Sequence, residues 1–267
     1  MMYELGFVGG GNMAEAIVRA AVERGVVGAG KIIVSDPVPQ RRAIFEAMKV
    51  ATTESNAQVL ASSRQVVLAI KPQMLAGLTD DLRAIDADTQ IVISIMAGVT
   101  IGKIESVLGR AARVIRVMPN TPLMVGLGMS AVAVGPHAQS GDEELATRLF
   151  QAAGEAIRVD EAALDAVTAV SGSGPAYVFY LAEAMIDAAE SLGLTARHAA
   201  MLTKQTILGA ATLMKDASDP PQELRRKVTS PGGTTQAAIE HMDSRALKSV
   251  MTQAIERAAS RSRELGR

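Results

Sequence analysis

The chain opens with Tyr3-Glu4-Leu5-Gly6-Phe7-Val8-Gly9-Gly10-Gly11-Asn12-Met13-Ala14-Glu15-Ala16-Ile17-Val18. Leu5 to Val8 is a short apolar run, the pattern of a buried strand, and Gly9, Gly10 and Gly11 break it. A helical pattern follows, with Met13, Ile17 and Ala21 on one face. The spacing Gly9-x-Gly11-x-x-Ala14 is the dinucleotide fingerprint in its Gly/Ala form. Gly9 permits a tight turn, Gly11 lets a pyrophosphate approach the backbone, and Ala14 lets the helix pack close to the strand. The start of the helix then offers free N–H groups and a partial positive charge to phosphates.

The next apolar run, Lys31 to Ser35, closes on Asp36, where a ribose-binding carboxylate is expected, about 20 residues beyond the fingerprint. Such a carboxylate accepts the ribose hydroxyls and repels a 2′-phosphate. Arg41 and Arg42 follow at the start of the next helix, on what reads as an exposed turn, and offer partners to that phosphate. NADH is therefore expected to be used well and NADPH to be tolerated.

Outward from this segment, strand and helix alternate. Pro37 and Pro39 open a helix over 40–48, and 50–52 reads as a short strand. Strands are expected at 65–70, 90–95 and 113–117, with helical spacing at 74–85 and 101–108 and Thr100 as an N-cap. One or two strands at 126–135, a helix at 142–153 and a strand at 155–159 complete the alternation. This order signals a mostly parallel sheet wound by right-handed crossovers. Ligands bind such sheets at the carboxyl ends of strands. The loops at Lys71-Pro72, at Met96-Ala97-Gly98 and at 119–122 should then line one crevice with the glycine turn.

Asp160-Glu161 marks the expected boundary between a domain of residues 1–160 and one of residues 161–267. Beyond it long helical stretches take over, at 161–170, 176–192, 195–214, 235–242 and 245–264. Gly193 and Thr195 suit a helix end and the next helix start. Two short loops are expected among these helices, Ser171 to Tyr177 and Ser230 to Thr235.

Bulk properties narrow the function. With 48% hydrophobic and 21% charged residues the chain is globular, and a net charge of −1 gives no basic surface for nucleic acid. The absence of cysteine excludes disulfides, thiol catalysis and thiolate metal sites. No apolar stretch reaches the roughly 18 residues of a membrane span. The first apolar run stops at glycines, unlike a secretory leader, so a cytoplasmic protein is expected. Alanine and methionine dominate the later helices, which carry more apolar surface than about 100 residues bury alone, so dimerisation is expected.

Ser230-Pro231-Gly232-Gly233-Thr234-Thr235 places glycines and hydroxyls just before a helix. The turn suits a small anion such as a carboxylate, held by backbone N–H groups without Arg or Lys. An ordinary helix cap reads equally well. Ser171-Gly172-Ser173-Gly174-Pro175 has the same texture and lacks the preceding strand of a hydrolase elbow. Lys71 has three open readings: a backbone contact on the nicotinamide side, a catalytic ammonium, or a solvated loop lysine. His137, His198 and His241 fall outside these loops, and no cluster has metal-ligand spacing, so no metal is expected.

Several segments together resemble one family. They are the glycine turn, Ala69-Ile70-Lys71-Pro72, Ala97-Gly98-Val99-Thr100, Arg116-Val117-Met118-Pro119-Asn120-Thr121-Pro122, Ser171 to Tyr177 and Ser230 to Thr235, in that order along the chain. The chain resembles the pyrroline-5-carboxylate reductases over essentially its whole length. The resemblance implies an α/β N-terminal Rossmann-like domain followed by an all-α C-terminal dimerisation domain, in some members assembled into larger rings. It implies hydride transfer from NADPH or NADH to the C=N carbon of 1-pyrroline-5-carboxylate, giving L-proline. It places the substrate carboxylate on Ser230, Gly232, Gly233, Thr234 and Thr235, with Ser171 a further substrate contact and Thr235 the best proton partner. It places the cofactor on Val8, Gly9, Gly10, Gly11, Asn12, Met13, Asp36, Asn56, Ala69, Ile70, Lys71, Pro72, Ile95, Met96 and Ala97, to which the fingerprint adds Ala14 and pairing with a 2′-phosphate adds Arg41. Many members carry Ser or Thr where this chain has Asp36.

Two rival readings stand beside it. A related hydroxyacid dehydrogenase would need a catalytic lysine early in the second domain, and residues 161–203 contain none. A nucleotide-sensing scaffold would not need two intact substrate loops.

Overall fold

The computed structural model describes residues 2–86 and 88–266. β1 (Tyr3–Val8) runs into the glycine turn, and α1 (Asn12–Glu23) leaves it. β2 (Ile32–Ser35), α2 (Pro39–Ala47) and β3 (Ala51–Thr53) follow. Pro39 sits in the first turn of α2, where a missing N–H costs nothing. α3 (Asn56–Ser62) precedes β4 (Ser63–Leu68), and α4 (Thr79–Leu82) precedes β5 (Ile91–Ser94). α5 (Ile101–Leu108) and β6 (Arg113–Met118) continue the alternation. β7 (Gly128–Val134), α6 (Glu143–Gln151) and β8 (Gly154–Arg158) complete the sheet.

The strand order is β3-β2-β1-β4-β5-β6-β7-β8. From β3 through β6 all pairs are parallel; β7 turns antiparallel to β6 and carries β8 parallel to itself. Alternate strand residues feed two apolar layers. Leu5, Phe7, Ile32, Val34 and Ile93 face α1 and α6, which supply Ile17, Val18, Leu149 and Phe150. Val8, Ile33, Val66, Leu68 and Val92 face α3 and α5, which supply Val59, Leu60, Ile104 and Leu108. A sheet buried on both faces explains why its central strands read as continuous apolar runs.

Register aligns the strand ends. Val8 lies opposite Ser35 and Leu68, Leu68 opposite Ser94, and Ser94 opposite Arg116. The chain reverses its winding between β1 and β4, which begin the two halves of the sheet. That switch point is where open α/β sheets leave a crevice for a ligand.

Short elements depart from the sequence expectations. Residues 74–85 are a 3-10 stretch, Pro72–Leu78, followed by one turn of α4, in place of one helix. α3 has seven residues, too few to show a helical period, and is fixed by Ser55, whose hydroxyl accepts from the Gln58 N–H at 3.2 Å.

After β8, α7 (Leu164–Val167) widens into a π-helical turn, Thr168–Gly172, and α8 (Gly174–Ser191) begins at once. Ser171 to Tyr177 is thus helical and not the expected loop. Pro175 fits because the first turn of a helix has spare N–H groups, and the glycines there cap nothing. α9 (Ala196–Asp216) starts as expected, with Thr195 accepting from His198 N at 3.2 Å. α10 (Pro221–Lys227) is polar except for Leu224 and has no periodic signal. α11 (Thr234–Ser244) and α12 (Leu247–Leu265) end the chain.

The chain forms two compact units. One holds the residues up to Ser173 together with those from Arg257 onward; the other runs from Gly174 to Glu256. Within the first, Glu161 pairs with the buried Arg116 at 3.0 Å and Leu164 packs on Ala131 and Ala133. Also within it, the Arg113 guanidinium bonds Asp142 and holds that carboxyl below the usual carboxylate range. Among the described residues no helix is long and apolar enough to cross a membrane.

Candidate cofactor crevice and substrate turn

The crevice grows from the ends of four strands. Gly9 N bonds Ser35 O at 3.0 Å, Ala69 N bonds Val8 O at 2.9 Å, and Ile95 N bonds Leu68 O at 3.3 Å. These bonds carry the ladder one residue past each strand and bring the glycine turn, Ala69-Ile70 and Ile95-Met96-Ala97 to one edge. The residues named for the cofactor in these loops are therefore neighbours along the sheet.

Gly9 takes φ +97°, and a Cβ there would stand 2.6 Å from Ala69 O. Only glycine turns the chain this closely between two strands. Gly11 is different. Its φ is −69°, and a Cβ would meet nothing within 4 Å. The protein's own packing makes no demand for glycine at this position, and the backbone there is left open to an approaching group. No side chain caps the start of α1, which leaves its first N–H groups for an anion. Ala14 is fully buried against the sheet, as the close helix packing requires. These features fit a dinucleotide pyrophosphate.

The ribose end is built from charged groups. Asp36 follows β2, and its Oδ2 accepts from Gly10 N at 2.9 Å while Oδ1 accepts from Val38 N at 2.9 Å. Arg41 and Arg42 lie at the start of α2 as expected, but their side chains are only 23% and 15% exposed, because each has fixed partners. Arg41 Nε donates to Gly10 O at 2.7 Å, and its other nitrogens reach Asn12 Oδ1 at 3.2 Å and Glu15 Oε2 at 3.0 Å. Arg42 donates to Asp36 O at 2.8 Å and pairs with Glu54 at 2.6 Å. Asn56 opens α3, and its Oδ1 accepts from the buried Ser35 hydroxyl at 2.7 Å. Sequence reasoning missed Ser35 and Glu15, since a strand serine and a helix-surface glutamate carry no motif.

Lys71 is exposed where β4 ends, and its carbonyl accepts from Met74 N at 2.9 Å. Asn120 ties two of the family segments together: its Nδ2 donates to Ser171 O at 3.1 Å and its Oδ1 accepts from Met129 N at 2.9 Å. His137 lies 2.7 Å from Glu105 at the surface, away from the crevice loops.

In the second unit, Ser230 to Thr235 forms a turn that opens α11. Gly232 has φ +71°, Gly233 is the N-cap, and no side chain caps the helix start. Gly233 N bonds Ser230 O at 3.0 Å, and Gln236 Oε1 accepts from Gly232 N at 2.7 Å. An acceptor oxygen thus already rests on a backbone N–H of this turn, which is the bond a carboxylate would make. Ser230 and Thr234 are exposed and Thr235 half-buried. Among the described residues no group of three or more His, Asp or Glu side chains is arranged to hold a metal.

Comparison with known proteins decides the family. A family model described as "Pyrroline-5-carboxylate reductase dimerisation" matches residues 161–265, and one described as "NADP oxidoreductase coenzyme F420-dependent" matches residues 4–98. A pyrroline-5-carboxylate reductase of Pseudomonas aeruginosa is 41% identical over 98% of this chain and 96% of its own. The chain belongs to the pyrroline-5-carboxylate reductase family. A solved pyrroline-5-carboxylate reductase from Coxiella burnetii is 37% identical and superposes over the whole of both chains with a TM-score of 0.91. One from Plasmodium falciparum, solved with NADP bound, is 28% identical with a TM-score of 0.87, again over the whole of both chains. The Rossmann-like fold, the helical region after it and the dimer-forming character of residues 161–265 all follow from this membership.

Proposed function

We propose that the chain reduces 1-pyrroline-5-carboxylate to L-proline at the expense of NADPH or NADH, the last step of proline biosynthesis. The observation that carries this reading is the Ser230–Thr235 turn, whose backbone opens α11 with no side-chain cap, in a chain of this family. The reading assigns nucleotide binding to residues 1–160 and substrate binding with dimerisation to residues 161–267. It also makes the protein a cytoplasmic homodimer, open to assembly into a ring of dimers, whose partners are small molecules and not nucleic acid.

An imine carbon is electrophilic once its nitrogen is protonated, so the reaction needs no strong base. A reduced nicotinamide, when bound, supplies the hydride. The protein's own residues fix geometry and the proton. Val8 to Ala14 receive the pyrophosphate; Asp36, Arg41 and Asn56 receive the ribose end. Ala69 to Pro72 and Ile95 to Ala97 flank the nicotinamide side, with Lys71 acting there through its backbone. Ser230, Gly232, Gly233 and Thr234 hold the carboxylate, and Ser171 adds a polar contact. The Thr235 hydroxyl hydrogen-bonds the ring nitrogen or relays to it a proton drawn from solvent, so that the hydroxyl itself is unchanged.

Loss of reduced nicotinamide absorbance on adding pyrroline-5-carboxylate, with proline as the product, tests the reading. A chain that binds the cofactor but shows no substrate-dependent oxidation would instead be a sensor or scaffold. A valine at position 233 pushes its side chain towards Ser230 O, which lies only 3.1 Å from where a Cβ would stand. Gly233→Val should raise the substrate KM about tenfold or more and leave the cofactor KM near its original value, whereas equal effects on both would count against the turn. Thr235→Ala should lower kcat/KM by one to three powers of ten, about 1.4 kcal/mol for each.

A further inference from the structure

Glu15 stands in the first turn of α1, the helix whose start is assigned to the pyrophosphate. A carboxylate in that turn suits the helix dipole but opposes an arriving anion. Here it is paired twice. Its Oε2 lies 3.0 Å from the Arg41 guanidinium and its Oε1 lies 3.0 Å from Arg19. The Arg41 guanidinium also donates to Gly10 O and Asn12 Oδ1, so it is fastened along the glycine turn from Gly10 to Glu15. Asp36 reaches Gly10 N of the same turn. Around Gly10, the Arg41 cation and the carboxylates of Asp36 and Glu15 are thus all fastened to one turn. Arg42 does not relieve this balance, because it is engaged by Glu54 and by the Asp36 carbonyl.

We propose that Glu15 is a specificity-determining residue for the cofactor: by pairing with Arg41 it cancels the positive charge that a 2′-phosphate would require. The inference rests on the nucleotide-binding role proposed above and deepens it. NADH and NADPH share the pyrophosphate and differ in the 2′-phosphate dianion alone. Any effect of Glu15 on the shared group cancels in the ratio of the two cofactors, and its effect through Arg41 on the 2′-phosphate remains. An Arg41 with free N–H donors and no paired carboxylate is a bidentate phosphate partner; here Glu15 and Gly10 occupy its donors and offset its charge.

The test uses Glu15→Gln, which keeps the shape of the side chain, removes its charge and leaves one acceptor oxygen where there were two. The kcat/KM for NADPH relative to NADH, and the ratio of the two Kd values measured by titration calorimetry without substrate, should each move about fivefold towards NADPH at low salt, and the gain should shrink as ionic strength rises. In an Arg41→Ala background the same substitution should leave the ratio within about twofold, since the group it acts through is gone. A ratio unchanged by Glu15→Gln in an enzyme that oxidises both cofactors would overturn the inference, as would an equal rise without Arg41. Oxidation of neither cofactor by the unaltered chain would instead overturn the nucleotide-binding reading beneath it.

Discussion

Asp36 was readable as a strand-end carboxylate because its position depends on local sequence, the length of β1 plus α1 plus the connection to β2. What its oxygens bond was not readable, because Gly10 lies 26 residues away. The same limit applies to Arg41. Its number in the sequence suggested a free cation on a turn, yet three partners from the glycine turn and α1 hold it. Asp36 in the structure spends one oxygen on Gly10 N and the other on Val38 N, so it organises the turn as well as holding the place proposed for a ribose contact. Asp36→Ser should shift the kcat/KM ratio towards NADPH by about tenfold or more, equivalent to about 1.4 kcal/mol of repulsion removed. Both cofactors should also lose some affinity, since a shorter side chain holds Gly10 less well. Steady-state kinetics with each cofactor checks both effects, and an unmoved ratio would mean the carboxylate faces away from the ribose.

At the scale of elements, the strands were the most legible. A strand buried on both faces is a continuous apolar run, and β1, β2, β4 and β5 each show one, whereas the buried Arg116 interrupts that of β6. Their order was only partly legible: alternation with helices implies parallel pairing, but the antiparallel turn of β7 carries no local signal. Helices shorter than about two turns escaped, because periodicity needs more residues than α3 or α10 contain. A contact between distant elements escaped entirely. The end of α12 lies on the loop after β5, where Gly98 takes φ +76° and a Cβ would stand 3.0 Å from Leu265 Cβ and 3.4 Å from Ser262 O. Ser262 is buried there, its hydroxyl donating to Asp165 at 2.6 Å. The loop assigned to the nicotinamide side is thus braced by the last turn of the chain. Gly98→Ala should cost about 1–2 kcal/mol from the left-handed backbone alone, with more from the displaced helix end. A fall in Tm of about 2–8 °C is expected, with a raised cofactor KM and an unchanged substrate KM. Thermal melts and kinetics read these separately, and a variant as stable as the parent would show that α12 adjusts freely.

For the whole molecule, the sequence showed an excess of apolar helix, and the structure locates it. None of the eighteen residues of α8 is buried within the chain, although the helix carries Val178, Phe179, Tyr180 and Leu181. Phe179 is 63% exposed and Tyr180 75% exposed. A run of large apolar side chains left in water on one helix marks an interface. The family model for dimerisation covers this helix, so a second copy of the chain is the partner that accounts for it. Light scattering at micromolar concentration should then give at least twice the mass of one chain. Phe179→Asp introduces a charge that an apolar interface would have to bury unpaired, at a cost of several kcal/mol. The variant should fall to the mass of one chain at the same concentration and melt at a lower temperature, because an interface stabilises each copy by mass action. A Phe179→Asp chain that keeps its mass would place the interface elsewhere on the helical region. An unaltered chain that is a single copy and fully active would remove the need for a partner, and with it the explanation for the exposed face of α8.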